Sequence, residues 1–169
     1  MGTFPVRFPS PLDPGDAGWH NDGSFGDPPS YKVNFASRGR ALLLLMLYTD
    51  VGPKDAPTRI RVGSHLDVAR ALARIEGDVT FVPERHAPSV LDLPIRHAVG
   101  SAGTVYLCHP FLVHAATWPH EGLTPRLVAQ PCIHHPEGEW LGGFDYDTDG
   151  DEPVVRAVRL AVDPTVDER

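Results

Sequence analysis

Three places in this 169-residue chain put a histidine two positions before a carboxylate: His20-x-Asp22, His65-x-Asp67 and His135-x-Glu137. On extended backbone, residues i and i+2 point the same way, so such a pair can offer an imidazole nitrogen and a carboxylate oxygen to one metal ion. A second histidine from elsewhere would complete a two-histidine, one-carboxylate face. That ligand set suits mononuclear Fe(II) and leaves three positions open for cosubstrate and oxygen. The short pair alone says little, because 9 histidines and 22 acidic residues in 169 positions give about 1.2 such pairs by chance.

Context separates the three. His65 and Asp67 fall at the start of a helical pattern, where i and i+2 do not face each other. Ser64 followed by Asp67 resembles a capping box, with Asp in place of Glu, and Asp67 suits the first turn beside the helix dipole. His135-x-Glu137 lies in a Pro/Gly loop with no later histidine to complete a triad, so a solvent-facing loop is expected there. His20-x-Asp22 sits between Trp19 and Gly23-Ser24-Phe25, with ample chain downstream. For the distal ligand the residues leave His97, His109, His114 and His120 open. His109 and His114 both follow the apolar stretch GTVYLC. His114 is delivered by Phe111-Leu112-Val113 into the small residues Ala115 and Ala116. If residues 111–116 and 126–132 pair as a hairpin, Arg126 lies near His114, where a guanidinium could grip a carboxylate bidentately. On its own, Arg126 reads rather as one half of a surface ion pair.

The elements that must position these groups are short. Residues 1–18, rich in Pro and Gly, read as an extended arm, and residues 19–26 could hold a short strand. Residues 40–49, RALLLLMLYT, read as a strand buried on both faces, ended by Asp50-Val51-Gly52-Pro53. Short strands are predicted at 58–62, 77–82, 103–108 and 127–133. The helical spacing of Leu66, Ala69, Leu72 and Ala73 predicts a helix over about 65–75. Residues 83–98 read as Pro-rich and irregular, and 134–150 as an acidic loop. Val154, Val155, Val158, Ala161 and Val162 fit one face of a C-terminal helix over 151–162, with Asp151 as N-cap and Pro153 in the first turn. Trp19 reads as a packing wall, His109 and Cys108 as core. Arg59 and Arg61 alternate on a short strand toward solvent or toward an anionic substrate. No internal repeat or domain boundary interrupts the chain, which reads as one domain, 1–169. Many short strands with two helices suggest a jelly-roll or cupin-like barrel.

Composition narrows the function classes. Apolar residues at 41% and charged residues at 22% are those of a globular chain rather than a disordered one. The 16 Gly and 18 Pro favour a β-rich architecture with many turns. A formal charge of −7 without any Lys/Arg block argues against nucleic acid as partner. The longest apolar run, Ala41 to Leu47, is far short of the roughly 20 residues a membrane helix needs. Two cysteines, Cys108 and Cys132, match neither a zinc knuckle nor a redox pair, and the N-terminus lacks a signal-peptide layout. A reducing, cytoplasmic setting is expected.

The strings WHNDGSF, SRGRALLLLMLYTDVGPKDAPTRIRVGSHLDVAR and HPFLVHAATWPHEGLTPRLVAQP, spanning about residues 19–133, resemble the phytanoyl-CoA dioxygenase family. Three features in order carry the resemblance: the His-x-Asp, a Gly-Ser-His turn after an apolar strand, and a distal His with an Arg about a dozen residues on. The resemblance implies a mainly β, double-stranded β-helix fold with a few flanking helices. It implies that His20, Asp22 and His114 hold Fe(II) and that Arg126 binds the far carboxylate of 2-oxoglutarate, while Gly63-Ser64-His65 is a turn outside the ligand set. The implied reaction consumes O2, releases succinate and CO2, and hydroxylates a small organic substrate. Retention of the Asp22 carboxylate disfavours halogenation, because no ligand position is left for a halide. The residues also admit two other readings, a cupin-like metalloenzyme that does not use 2-oxoglutarate and a non-catalytic binding module. Neither nucleic acid nor membrane is expected as partner, and a homodimer could cover an exposed sheet edge.

Overall fold

The computed structural model describes residues 3–22, 31–35, 41–133 and 153–163. Within them the protein is mainly β, with two antiparallel sheets and few helices. The larger sheet runs β1 (Val6–Arg7), β7 (Arg126–Ala129), β2 (Leu42–Leu47), β5 (Val105–Cys108), and β8 (Cys132–Ile133) also pairs with β2. The smaller runs β4 (Ile95–His97), β3 (Arg59–Arg61), β6 (His114–Ala115). Helix α1 (Ser64–Leu72), helix α2 (Pro83–His86), a 3-10 turn (Pro88–Asp92) and helix α3 (Pro153–Val162) complete the described elements.

Strand β2 is the spine of the larger sheet. Leu43, Leu45 and Leu47 are buried while Leu42, Leu44 and Met46 are half-buried, so one face of the strand is dry and the other partly wet. The expectation of burial on both faces is corrected to this alternation. Leu43 and Leu45 pack with Ile60, Ala98, Cys108 and Leu112, which joins the larger sheet to the smaller. Cys108 is thus a core residue, and burial pushes its thiol up to about 11. A second core binds α1 and α3 to the chain around His114. Val68, Ala69 and Leu72 of α1 meet Val158 and Ala161 of α3, with Phe111 and Val113 beneath. The C-terminal helix is therefore present; its expected cap Asp151, the loop 134–150 and His135-x-Glu137 lie outside the described residues.

Several local expectations change. The 127–133 strand is split into β7 and β8, because Pro131 between them has no N–H to give the ladder. Residues 77–82 make only the single bridge Val79–Val33, since Val82 already caps α2 and Pro83 starts it. Pro83 and Pro88 each open a helical turn, so 83–98 is ordered rather than irregular. Residues 19–22 contribute one bridge, His20–His114, in place of a strand. The arm is extended as expected, and its β1 segment pairs with β7.

The proposed hairpin between 111–116 and 126–132 does not form. β6 pairs with β3, and β7 pairs with β1 and β2, so the two segments belong to different sheets. Pro119 and Pro125 punctuate the connection and cannot extend a ladder, and the chain crosses between sheets there. The capping box is also absent. Gly63, at φ 85°, precedes α1 and no side chain caps its end. The Ser64 hydroxyl instead accepts the N–H of Val113 at 2.9 Å, and Asp67 accepts from Arg70 and Ser89 at 2.8 and 3.1 Å.

Candidate metal centre

His20 and His114 face each other across a two-way backbone pair. His20 N–H donates to His114 C=O at 3.0 Å, and His114 N–H donates to His20 C=O at 2.8 Å. Directly opposed residues in such a pair carry their side chains on the same side. The two rings accordingly stand 4.5 Å apart at their centroids. Asp22, two residues on, is brought to that side as well. Its Oδ1 lies 3.9 Å from His20 Nε2 and 3.7 Å from His114 Nε2. The donor atoms of the three residues all lie within 4.8 Å of one another. Among the described residues this is the one such group of His, Cys, Asp or Glu. An ion with bonds of about 2.0–2.2 Å can reach two donors up to about 4.4 Å apart. Both Asp22 separations fall inside that limit.

The donor chemistry also fits a metal. His20 Nδ1 is 2.9 Å from the Gly18 carbonyl oxygen, and His114 Nδ1 is 3.0 Å from that of Leu112. A carbonyl oxygen only accepts, so in each ring the proton sits on Nδ1 and Nε2 keeps its lone pair. Such backbone contacts fix the tautomer and orientation of metal-ligating histidines. His114 is 1% exposed, whereas His20 is open to solvent and Asp22 is half-buried.

Neighbouring elements hold this geometry. Arg59 on β3 donates from Nη2 to Ala17 C=O at 2.7 Å and from Nε to Ala116 C=O at 3.1 Å. It thereby ties the chain before His20 to the chain after His114. Its guanidinium lies 4.6 Å from the Trp19 ring centre, and that of Arg61 lies 4.4 Å from it. Arg61 also donates to Leu93 C=O at 2.8 Å. The expectation that Arg59 and Arg61 face solvent or an anionic substrate gives way to a structural role. Trp19 is the packing wall expected, with both guanidiniums lying against its ring. On the other side, Ser64 holds Val113 and so fixes the backbone directly before His114.

Arg126 reaches the same cavity by another route. A cavity of about 200 Å³ is lined by His20, His114, Arg126, Thr58, Arg7 and Asp16, among others. Arg126 is 3% exposed. One guanidinium nitrogen donates to Ala56 C=O, while its Nε is buried with no hydrogen-bond partner among the described residues. Arg7 stands directly opposite Arg126 in the β1–β7 ladder. Like charges so placed repel, and Asp16 offsets this by pairing with Arg7 at 2.5 Å. Burial first, then Arg7, push the Arg126 guanidinium down to about 10, with Asp16 opposing. A pocket with two facing guanidiniums and a spare buried donor suits a carboxylate. Arg7, Asp16 and Thr58 escaped the sequence reading. Arg7 could have been found only through the β1–β7 pairing, which nothing local to VRF announces.

The other histidines lie elsewhere. His97 is exposed on β4. His109 stacks on His65 at 4.9 Å, and its Nδ1 accepts the N–H of Phe111 at 3.0 Å. His120 is buried in a separate cleft.

His20, Asp22 and His114 thus form one candidate metal-binding face on a mainly β scaffold of two antiparallel sheets, and Arg126 lines the same cavity as the two histidines. Residues 7–118 match the family model for phytanoyl-CoA dioxygenase (PhyH), and the chain belongs to that family. The matched segment contains His20, Asp22 and His114 and ends before Arg126. No curated protein matches the chain significantly. Among solved structures, the non-heme alpha ketoglutarate dependent carbocyclase SnoK from nogalamycin biosynthesis is similar, at TM-score 0.54 and 20% identity over 75% of this chain. The chain spans only 45% of that protein's length. The non-heme alpha ketoglutarate dependent epimerase SnoN from the same biosynthesis is also matched, at TM-score 0.41 and 22% identity over 81% of this chain and 50% of that one.

Proposed function

We infer that the protein is an Fe(II)- and 2-oxoglutarate-dependent dioxygenase on a double-stranded β-helix, hydroxylating a small organic substrate. The observation that carries this reading is the approach of His20, Asp22 and His114 donor atoms to within 4.8 Å of one another. Family membership supports the cofactor and cosubstrate.

In this reading His20 and His114 present neutral Nε2 lone pairs and Asp22 a carboxylate oxygen to Fe(II). Arg126 binds the far carboxylate of 2-oxoglutarate through its guanidinium, and burial of His114 and Arg126 keeps that end of the cavity dry. When bound, the iron would couple O2 to the oxidative decarboxylation of 2-oxoglutarate, giving succinate and CO2 and passing one oxygen atom into a substrate C–H bond. The protein's own work is to fix the ligands, orient the cosubstrate and exclude water. The Asp22 carboxylate fills the third protein position, which favours hydroxylation over halide transfer.

The test is succinate formation from 2-oxoglutarate with Fe(II) and O2 supplied. Turnover is expected in the wild type, none in His114→Ala, and retained turnover in His65→Ala. Equal loss from both substitutions in folded protein would overturn the assignment. Fe(II) or Mn(II) binding without any 2-oxoglutarate affinity would overturn the cosubstrate.

A further inference from the structure

The run RALLLLMLYT gives β2 apolar residues on both faces, the pattern of a strand covered on both sides. Among the described residues only one side is fully covered. Leu43, Leu45 and Leu47 point into the core, and Leu42, Leu44 and Met46 point the other way.

Pairing carries that outer side across the whole larger sheet, because directly opposed residues hold their side chains on the same face. Met46 stands opposite Val105, and Leu44 opposite Leu107. Leu42 stands opposite Ile133, and Met46 also opposite Ala129. Leu127, two positions before Ala129, stands opposite Val6. Every outward position on these strands is therefore apolar. Their charged residues, Arg7 and Arg126, point to the metal cavity on the other side. Phe4 and Tyr48 extend the outer surface, with ring centres 5.1 Å apart. Phe4, Val6, Tyr48, Val105, Leu107 and Ile133 are between 38% and 73% exposed. At roughly 150–250 Å² for a whole large side chain, these fractions leave about 500 Å² of apolar surface in water. That is as much as the largest apolar area of a typical monomer, and such areas are usually functional.

Charge and area decide the occupant. The chain carries −7, so an anionic lipid surface repels it. A charged protein surface would bury its charges unpaired against this face. The same face of a second copy brings no charge to the contact and leaves the −7 of each copy outside it. Two such faces together bury about 1,000 Å², the lower bound for a specific interface. Sheets pack face to face at about 10 Å, and a self-complementary face closes by two-fold symmetry.

We propose that the outer face of the larger sheet is an interface with the same face of a second copy of this chain. The metal cavity lies on the opposite side of the sheet, so it stays open in the dimer. The proposal stands on the sheet alone and does not rest on the oxygenase reading.

Sedimentation velocity of the full chain, from about 1 to 300 μM, is the test. A reversible dimer with a micromolar Kd is expected, as suits a small interface. Leu107→Asp puts a charge on the face and raises that Kd more than about tenfold. Leu123→Asp, at a leucine 97% exposed and off the sheet, leaves it unchanged. In the unsubstituted protein, a mixture of isotope-labelled and unlabelled chains gives intermolecular NOEs among the methyl groups of Leu44, Met46, Val105 and Leu107, which does not depend on a variant folding. A chain that stays monomeric to about 300 μM, whether its face is open or covered by the chain itself, overturns the proposal. So does a dimer indifferent to Leu107→Asp, or one without those NOEs.

Discussion

Arg59 holds the carbonyl oxygens of Ala17 and Ala116 with one guanidinium, at 2.7 and 3.1 Å, and so clamps the two backbone segments that carry His20 and His114. These segments are nearly a hundred residues apart in the chain and meet at a single two-way backbone pair. The clamp is what keeps that pair from depending on its own two hydrogen bonds alone.

A lysine cannot span both carbonyls with a rigid fork. Arg59→Lys is expected to weaken Mn(II) binding about tenfold, the lower end of the effect seen when groups that orient metal ligands are lost. Calorimetric titration of folded protein checks this, and an unchanged affinity would show that the clamp is irrelevant to the site.

Ser64 is fully buried and its hydroxyl is the acceptor for Val113 N–H. Ser64→Ala leaves a buried amide unmet, at about 1–3 kcal/mol. Urea unfolding should register that loss, and metal affinity should fall with it because Val113 adjoins His114. A variant as stable as the wild type would mean the amide has found another acceptor.

For Arg126 the prediction concerns pH. Its folded pKa of about 10 lies below the ordinary arginine range, so as pH rises through about 10 the unfolded chain holds more protons and this group's contribution to stability rises with pH. Carboxylate binding needs the charged form. The 2-oxoglutarate affinity should therefore decline as pH passes through about 10, while Mn(II) binding by the histidines does not follow the same curve. At neutral pH, Arg126→Gln should raise the KM for 2-oxoglutarate about 10- to 100-fold.

His65 gives the opposite end of the pH scale. Burial, against the weaker pull of Asp67, holds its pKa below the ordinary 6.5. As pH falls below about 6.5 the unfolded chain takes up this proton first, so stability drops. Thermal melts between pH 7 and 5 should show His65→Phe losing less stability on acidification than the wild type. An identical slope would remove His65 from the account.

Periodicity and turn chemistry made much of this visible in the sequence. The β2 and α1 segments and the α3 helix announce themselves through runs and spacing of apolar residues, and His20-x-Asp22 stands out once the helix claims His65. Residue chemistry by itself left His97, His109, His114 and His120 open, and the family resemblance favoured His114. What stayed hidden depends on long-range pairing. Arg7 meets Arg126 only because β1 joins β7, and Ser64 looks like a helix cap until Val113 is seen beside it. Arg59 and Arg61 look like a solvent-facing pair until Trp19 lies against them. The hairpin expected for Arg126 failed for the same reason: two apolar segments close in sequence went to different sheets.

The most direct test is a crystal structure of Mn(II)-loaded protein with data at the manganese absorption edge. The account predicts one strong anomalous peak bonded to His20 Nε2, His114 Nε2 and an Asp22 oxygen, with Arg126 facing the open side of the ion. A peak held by other residues, or fully loaded protein in which any of these three donors stays out of bonding distance, would contradict it.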